Sequence, residues 1–433
     1  MDAKKLARLL EQAQTHETNR QYEDAATLYE EIIANTVPNS PDEKIQKIRV
    51  KALGRVSELY TYLVSEKYDE GLAHAEQYQA EATEYEDKRD ALFNIGEYAF
   101  HVGDNKRSLA TYRAVLDLIE TEKDESALPR AYNSLATAYI AVGRLEDATN
   151  DYLKAVDKYT QLGDKGEHGK ANTWNRLGLV YLEQGEISKA INAHEKFLKY
   201  YQETFKEDVQ SLMTAFNNLG EGYLMAYDLQ TALHFFQQGL AYGKEGTYLH
   251  VTADLQRNIG VVYSLQGDSK LALKNLNHAL ELSEASANVH IQIQVLYSLA
   301  LAEFEAGKNE SAFAHAQSLL NIAGTGSAST HYANAIHLIG IYYQQKGQPQ
   351  VAEKYWQEAI YIAHEAKQRR LLWQLHAKMA EIASTPDLAQ VHFKIAADIL
   401  EQMAEGIDDP ILQNTFRRAK AVQAVLSQVE RDD

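Results

Sequence analysis

Trp174-Asn175-Arg176-Leu177-Gly178-Leu179-Val180-Tyr181 returns downstream as Phe216-Asn217-Asn218-Leu219-Gly220-Glu221-Gly222-Tyr223. The same frame recurs as Gln256-x-x-Ile259-Gly260-x-x-Tyr263, Leu296-x-x-Leu299-Ala300 and Ile336-x-x-Ile339-Gly340-x-x-Tyr343. Upstream it stands as Tyr132-x-x-Leu135-Ala136-x-x-Tyr139 and Leu92-x-x-Ile95-Gly96, and downstream as His376-x-x-Met379-Ala380. Degenerate copies start near Leu9 and Leu53, which makes about ten copies with a period of about 40 residues. Sixteen residues after each frame residue comes a small one: Ala148, Ala190, Ala232, Ala272, Ala312 or Ala352. A larger residue follows four positions later in most copies: Tyr152, His194, Phe236, Leu276 and Trp356. Spacings of three, four and seven put these residues on one helical face, so each copy reads as two amphipathic helices.

Glycine and proline punctuate the period. Gly96, Gly178, Gly220, Gly260 and Gly340 follow the frame leucine or isoleucine, and Gly103, Gly143, Gly185, Gly267, Gly307 and Gly347 fall in the turn between the helices. Eleven of the 23 glycines thus occupy two repeat positions. A glycine inside a helix costs about 1 kcal/mol of propensity, so its recurrence predicts a neighbouring helix in close approach. The turn glycines supply the left-handed residue that closes a helix. Pro38, Pro41, Pro129, Pro349, Pro386 and Pro410 all fall in predicted loops or helix starts.

This pattern resembles the tetratricopeptide repeat, and the resemblance covers nearly the whole chain. The standard unit is about 34 residues. The longer unit here is similar to the repeats of the Pins/LGN polarity adaptors, kinesin light chains and bacterial peptide-sensing regulators. The resemblance implies an all-α, right-handed superhelical solenoid whose first helices line a concave groove. The array is expected over residues 1–408, with repeats starting near 9, 53, 92, 132, 174, 216, 256, 296, 336 and 376. Residues 409–433 are expected to form a capping helix and tail: Asp409 as N-cap, Pro410 in the first turn, and Leu412, Phe416, Ala419, Val422 and Leu426 as one apolar stripe running to about Gln428. The linkers Thr36–Asp42, Gly163–Lys170 and Ala323–Thr330 are expected to be flexible.

Composition narrows the function. The net charge of −18 argues against a nucleic-acid partner, which a basic face usually recruits, and against an anionic membrane. The absence of cysteine removes disulfides and thiolate chemistry. The N-terminal MDAKKLARLLEQAQTHETNR has no apolar core of a signal peptide, so the expectation is a cytoplasmic protein. Chemistry-bearing motifs are missing. Gly163-Asp-Lys-Gly-Glu-His-Gly169-Lys170-Ala171 has Asp164 and Ala171 where a phosphate loop needs Gly and Ser or Thr, and Gly324-Thr-Gly326-Ser follows no strand. The histidines form no metal-binding motif, and His194 and His376 stand at repeat core positions. No cofactor, metal or catalytic residue is expected.

What remains is a binding role. The groove-facing offsets of the repeat pick out Asn133, Asn172, Asn175, Leu179, Asn217, Glu221, Leu224, Arg257, Val261, Tyr297, Leu301, Phe304, Asn334 and His337. Asparagine offers a donor and an acceptor, so a row of them can hold a peptide backbone. Leu179, Leu224, Val261, Leu301 and Phe304 are the expected apolar anchors. Asn94, Asn218 and Asn258, one residue before the frame leucine or isoleucine, are expected to bond between helices instead. The expected function is a non-catalytic scaffold binding a neutral or basic peptide or partner protein, as a monomer or weak dimer. The alternatives are a regulator whose superhelix tightens on a peptide signal, and a non-catalytic subunit of an enzyme complex.

Overall fold

The computed structural model describes residues 1–61, 68–243, 246–324 and 330–429. It is all-helical among these residues, with every repeat frame in a first helix and every small residue sixteen positions on in a second. Two compact units divide after Lys170.

The first unit holds four helix pairs: α1 (Ala3–Thr18) with α2 (Tyr22–Ala34), α3 (Glu43–Leu59) with α4 (Tyr68–Glu81), α5 (Tyr85–His101) with α6 (Asn105–Glu122), and α7 (Leu128–Ala141) with α8 (Leu145–Gln161). Its core runs through Leu6, Ala25, Tyr29, Ala52, Val56, Ala75 and Tyr98. A buried ion pair, Arg49 to Glu81 at 2.9 Å, ties α3 to α4, and the same guanidinium donates to the Ile33 carbonyl at 2.8 Å.

The second unit holds α9 (Glu167–Gln184) with α10 (Ile187–Thr204), α11 (Val209–Met225) with α12 (Leu229–Tyr242), and α13 (Leu249–Leu265) with α14 (Ser269–Ala285). It continues with α15 (Val289–Glu305) and α16 (Asn309–Ala323), α17 (Thr330–Gln345) and α18 (Pro349–Glu365), and α19 (Arg369–Ile382) and α20 (Pro386–Glu405). From α10 onward each helix packs on the next, α9 meets α10 through Gly178 and His194, and α11, α13, α15, α17 and α19 also touch in succession, which puts these first helices on one side of the unit, its inner side.

The recurrent glycines do what their positions predict. A Cβ on Gly178 would lie 2.5 Å from the His194 ring, on Gly220 2.5 Å from Phe236, on Gly260 2.6 Å from Leu276 and on Gly340 2.2 Å from Trp356. Each sits under the large residue of its own second helix. All six turn glycines have positive φ, between 70° and 84°. In the turn between α11 and α12 the same place is taken by Tyr227, at φ 60°. The residue after the turn then caps the second helix: Asp104, Asp228 and Asp268 each accept the backbone N–H three positions on.

Two expectations need correction. Gly163–Lys170 is ordered: Gly163–Gly166 forms a 3-10 turn and α9 begins at Glu167. A Cβ on Gly166 would fall 2.0 Å from the Tyr159 carbonyl oxygen, so the chain is pressed against α8 rather than looped out. The segment Thr36–Asp42 is likewise pinned, because Ser40 donates its N–H to Gln46 at 2.8 Å and Asp42 caps α3. Most of Ala323–Thr330, including Gly326, lies outside the described residues.

The C-terminal helix is broken. Asp409 caps it as expected, accepting from Ile411 and Leu412. The chain then forms α21 (Pro410–Arg418) and α22 (Lys420–Leu426), with Ala419 extended between them at ψ 136°. The break turns the apolar stripe inward twice, through Leu412 and Phe416 and then through Val422 and Val425, all buried.

Candidate functional site

The inner side of the second unit carries a continuous chain of polar side chains. Asn218 on α11 donates its amide N–H to Asn175 on α9 at 2.8 Å. Asn258 on α13 donates to Asn217 on α11 at 2.9 Å and to Glu221 at 3.1 Å. Asn217 donates to Asp254 at 2.9 Å. Arg257 closes the group, with its Nε on Asp254 at 2.8 Å and a terminal nitrogen on Glu221 at 2.6 Å. Burial works against the Arg257 charge, but the two carboxylates outweigh it and its pKa is raised, so the guanidinium stays charged. The Asn258 side-chain oxygen is buried and has no partner among the described residues.

This geometry divides the expected site. Asn218 and Asn258 bridge adjacent first helices, as their offset predicts. Asn175 and Asn217 share that duty, because each supplies the oxygen that the next repeat's asparagine needs. Asn217 is only 2% exposed. Asn172 accepts from the Tyr201 hydroxyl at 3.1 Å and so joins α9 to α10. Tyr297 and His337 are linked hydroxyl to Nδ1 at 3.1 Å across α15 and α17. Asn334 is half-buried on α17, and Asn133 is half-buried on α7 in the first unit.

The apolar anchors need correction. Leu224 and Phe304 are each 6% exposed and belong to core clusters. Eight residues on from the frame residue, the helix has turned them back against their neighbours. Val261 and Leu301 are partly buried at the edges of those clusters. Leu179 is 40% exposed and is the apolar side chain left open at this face.

The two histidines expected at repeat core positions lie there, His194 buried and His376 half-buried. His194 is fully buried over Gly178, and neither ring nitrogen has a partner among the described residues. Burial pulls its pKa down to about 3, so the ring is neutral. His376 instead meets His392, Nδ1 to Nδ1 at 2.9 Å. Among the described residues no three His, Asp or Glu side chains cluster to hold a metal, and no helix is long and apolar enough to cross a membrane.

Several residues of this region escaped the sequence reading. Asp254 occupies the same offset as Asn172 and Asn334 and could have been found from it. Glu183, at a further inner offset, has its pKa raised by burial, partly offset by a hydrogen bond from Gln368 at 3.3 Å. Tyr227 betrayed itself only by standing where sister repeats have glycine.

Models of the tetratricopeptide repeat match residues 58–126, 127–203, 169–245, 211–285 and 251–325. These run unbroken from 58 to 325, more than half of the 433 residues, and the chain belongs to the tetratricopeptide repeat proteins. No curated protein matches it by sequence. Among solved structures it is similar to a Rap protein complexed with competence and sporulation factor: 14% identity, TM-score 0.55, covering 94% of this chain and 100% of that one. The apo quorum sensor NprR from B. thuringiensis aligns with TM-score 0.57 at 12% identity, over 83% of this chain and 99% of its own. The Rap conjugation regulator of plasmid pLS20, in complex with the Phr* peptide, gives 0.51 at 14%, over 84% and 94%. At these identities the likeness is one of fold.

Proposed function

We propose that this chain is a non-catalytic binding protein whose second unit receives a peptide, or an extended segment of a partner protein, along the inner faces of α9, α11, α13, α15 and α17. The observation that carries this reading is the polar chain from Asn175 to Arg257 on the inner side of the second unit, beside the open Leu179. Leu179 supplies the adjacent apolar contact. Glu183, Glu221 and Asp254 outnumber Arg257, which pairs with the last two, and this balance favours a neutral or basic ligand. Two structural neighbours are complexes with a competence and sporulation factor and with a Phr* peptide, which supports a peptide as ligand. A regulator that changes superhelix pitch on binding is the second reading; it is favoured by the contact between repeats far apart in sequence described below.

The test is a positional-scanning library of short synthetic peptides, with neutral and basic sets, screened against the wild-type chain and Leu179→Asp. The reading expects peptides captured by the wild type and lost in the variant, with unchanged circular dichroism. Equal capture by both overturns it.

A further inference from the structure

The second unit touches itself across its ends. Arg369 at the start of α19 donates to the Gln184 carbonyl at 3.0 Å and reaches Glu186 at 3.5 Å. Gln368 donates to Glu183. The Ser188 N–H reaches the Gly406 carbonyl at 3.4 Å, and the Asp408 N–H donates to the Ser188 hydroxyl at 2.8 Å. Met403 lies over Gly185, where a Cβ would be 3.0 Å from its side chain. One apolar cluster joins Ile187, Ile191 and Ala226 to Trp373, Leu400, Met403, Phe416 and Val422. Tyr227 stacks obliquely on Phe416, with centroids 5.9 Å apart.

We propose that these contacts form a reversible seam that closes α9–α20 into one superhelical turn and governs access to its inner face. The governing role rests on the function proposed above; the closure itself does not. Four observations distinguish the seam from permanent core. Arg369 and Glu186 are solvated, with side chains 35% and 27% exposed, so their pairing is weak and adjustable. The seam's polar contacts come from helix ends and loops rather than from helix faces. Tyr227 holds a left-handed backbone that sister repeats give to glycine, which is strain kept where the two sides meet. The α21–α22 break lets both Phe416 and Val422 reach the first pairs of the unit. The segment 409–429 therefore works as a strap across the seam, not as a solvated cap on the last repeat.

The absence of cysteine gives a clean background for paired spin labels. Asn192→Cys on α10 and Glu405→Cys on α20 are exposed and outside the contacts described. The full chain, labelled at both, should give a single short distance at low salt. Arg369→Glu places like charges beside Glu186 and should add a longer-distance population at low salt, which shrinks as salt screens the new repulsion, whose range is about 10 Å at 0.1 M. Phe416→Asp should do the same through the apolar half. Should Arg369→Glu lose helicity, the wild type compared at low and high salt, with Arg369→Gln as the uncharged reference, reads the same opening. A single long distance in the wild type overturns the closure. A single short distance retained in both variants at all salt concentrations overturns the switch. If the seam opens as stated but the peptide library binds nothing, the groove reading falls and the seam stands.

Discussion

Asn258 donates its side-chain N–H to the Asn217 oxygen at 2.9 Å, and the two residues belong to successive repeats. The bond makes the inner face a cross-linked lining rather than a row of free side chains. Asn217→Ala should therefore destabilise the chain, by about 1–3 kcal/mol, because Asn258 and Asp254 both lose a partner. Urea denaturation of N217A, N258A and the double variant checks it: the double loss should be clearly smaller than the sum of the two singles.

Gly340 lies under Trp356, whose indole N–H donates to the His337 carbonyl at 3.1 Å. Gly340→Ala should cost about 1–3 kcal/mol through overpacking. The penalty should shrink when Trp356→Ala is added, because the clash is with that ring. By contrast, Gly267→Ala meets open space but a φ of +84°, so its cost of about 1–2 kcal/mol should be indifferent to any second substitution nearby.

His194 should make the protein acid-sensitive. Its pKa is about 6.5 in the unfolded chain and depressed to about 3 when folded. Between those values the unfolded state binds the extra proton, so stability falls as pH drops from 6.5 towards 3, by about 1.4 kcal/mol per pH unit. Above pH 6.5 the ring is neutral in both states and contributes no slope. His337, also pulled down to about 3 by burial, adds in the same direction. His194→Phe, the residue found at the sister position as Phe236, should flatten the melting temperature between pH 6.5 and 4.

Tyr227→Gly should separate backbone strain from the strap. The glycine relieves the positive φ, worth about 1 kcal/mol, yet removes the ring from Phe416. The variant should keep its helicity and its thermal midpoint nearly unchanged while limited proteolysis at residues 409–429 accelerates. Unchanged proteolysis would mean that Tyr227 does not hold the strap.

The repeat was legible because it is local. Gly178 and His194, or Gly260 and Leu276, sit sixteen residues apart on adjoining helices, and periodicity alone brings them together. The inner face was half legible for the same reason: the offsets found Asn217, Glu221 and Arg257 but also selected Leu224 and Phe304, which the curvature of the helix pair buries. The seam was illegible. Arg369 meets Glu186 only because superhelical twist accumulates over the intervening repeats, and no window of sequence records that sum. Its one local trace was Tyr227 in place of a turn glycine.

The central claim is that the inner face of the second unit holds polypeptide. Its most direct measurement is a fluorescence-anisotropy titration of one library-selected, labelled peptide against the wild type, Leu179→Asp on α9 and Lys274→Ala on the exposed side of α14. The account predicts saturable binding to the wild type and to Lys274→Ala, and loss of at least about tenfold in affinity, roughly 1.4 kcal/mol, for Leu179→Asp. Equal affinity for all three proteins would contradict it.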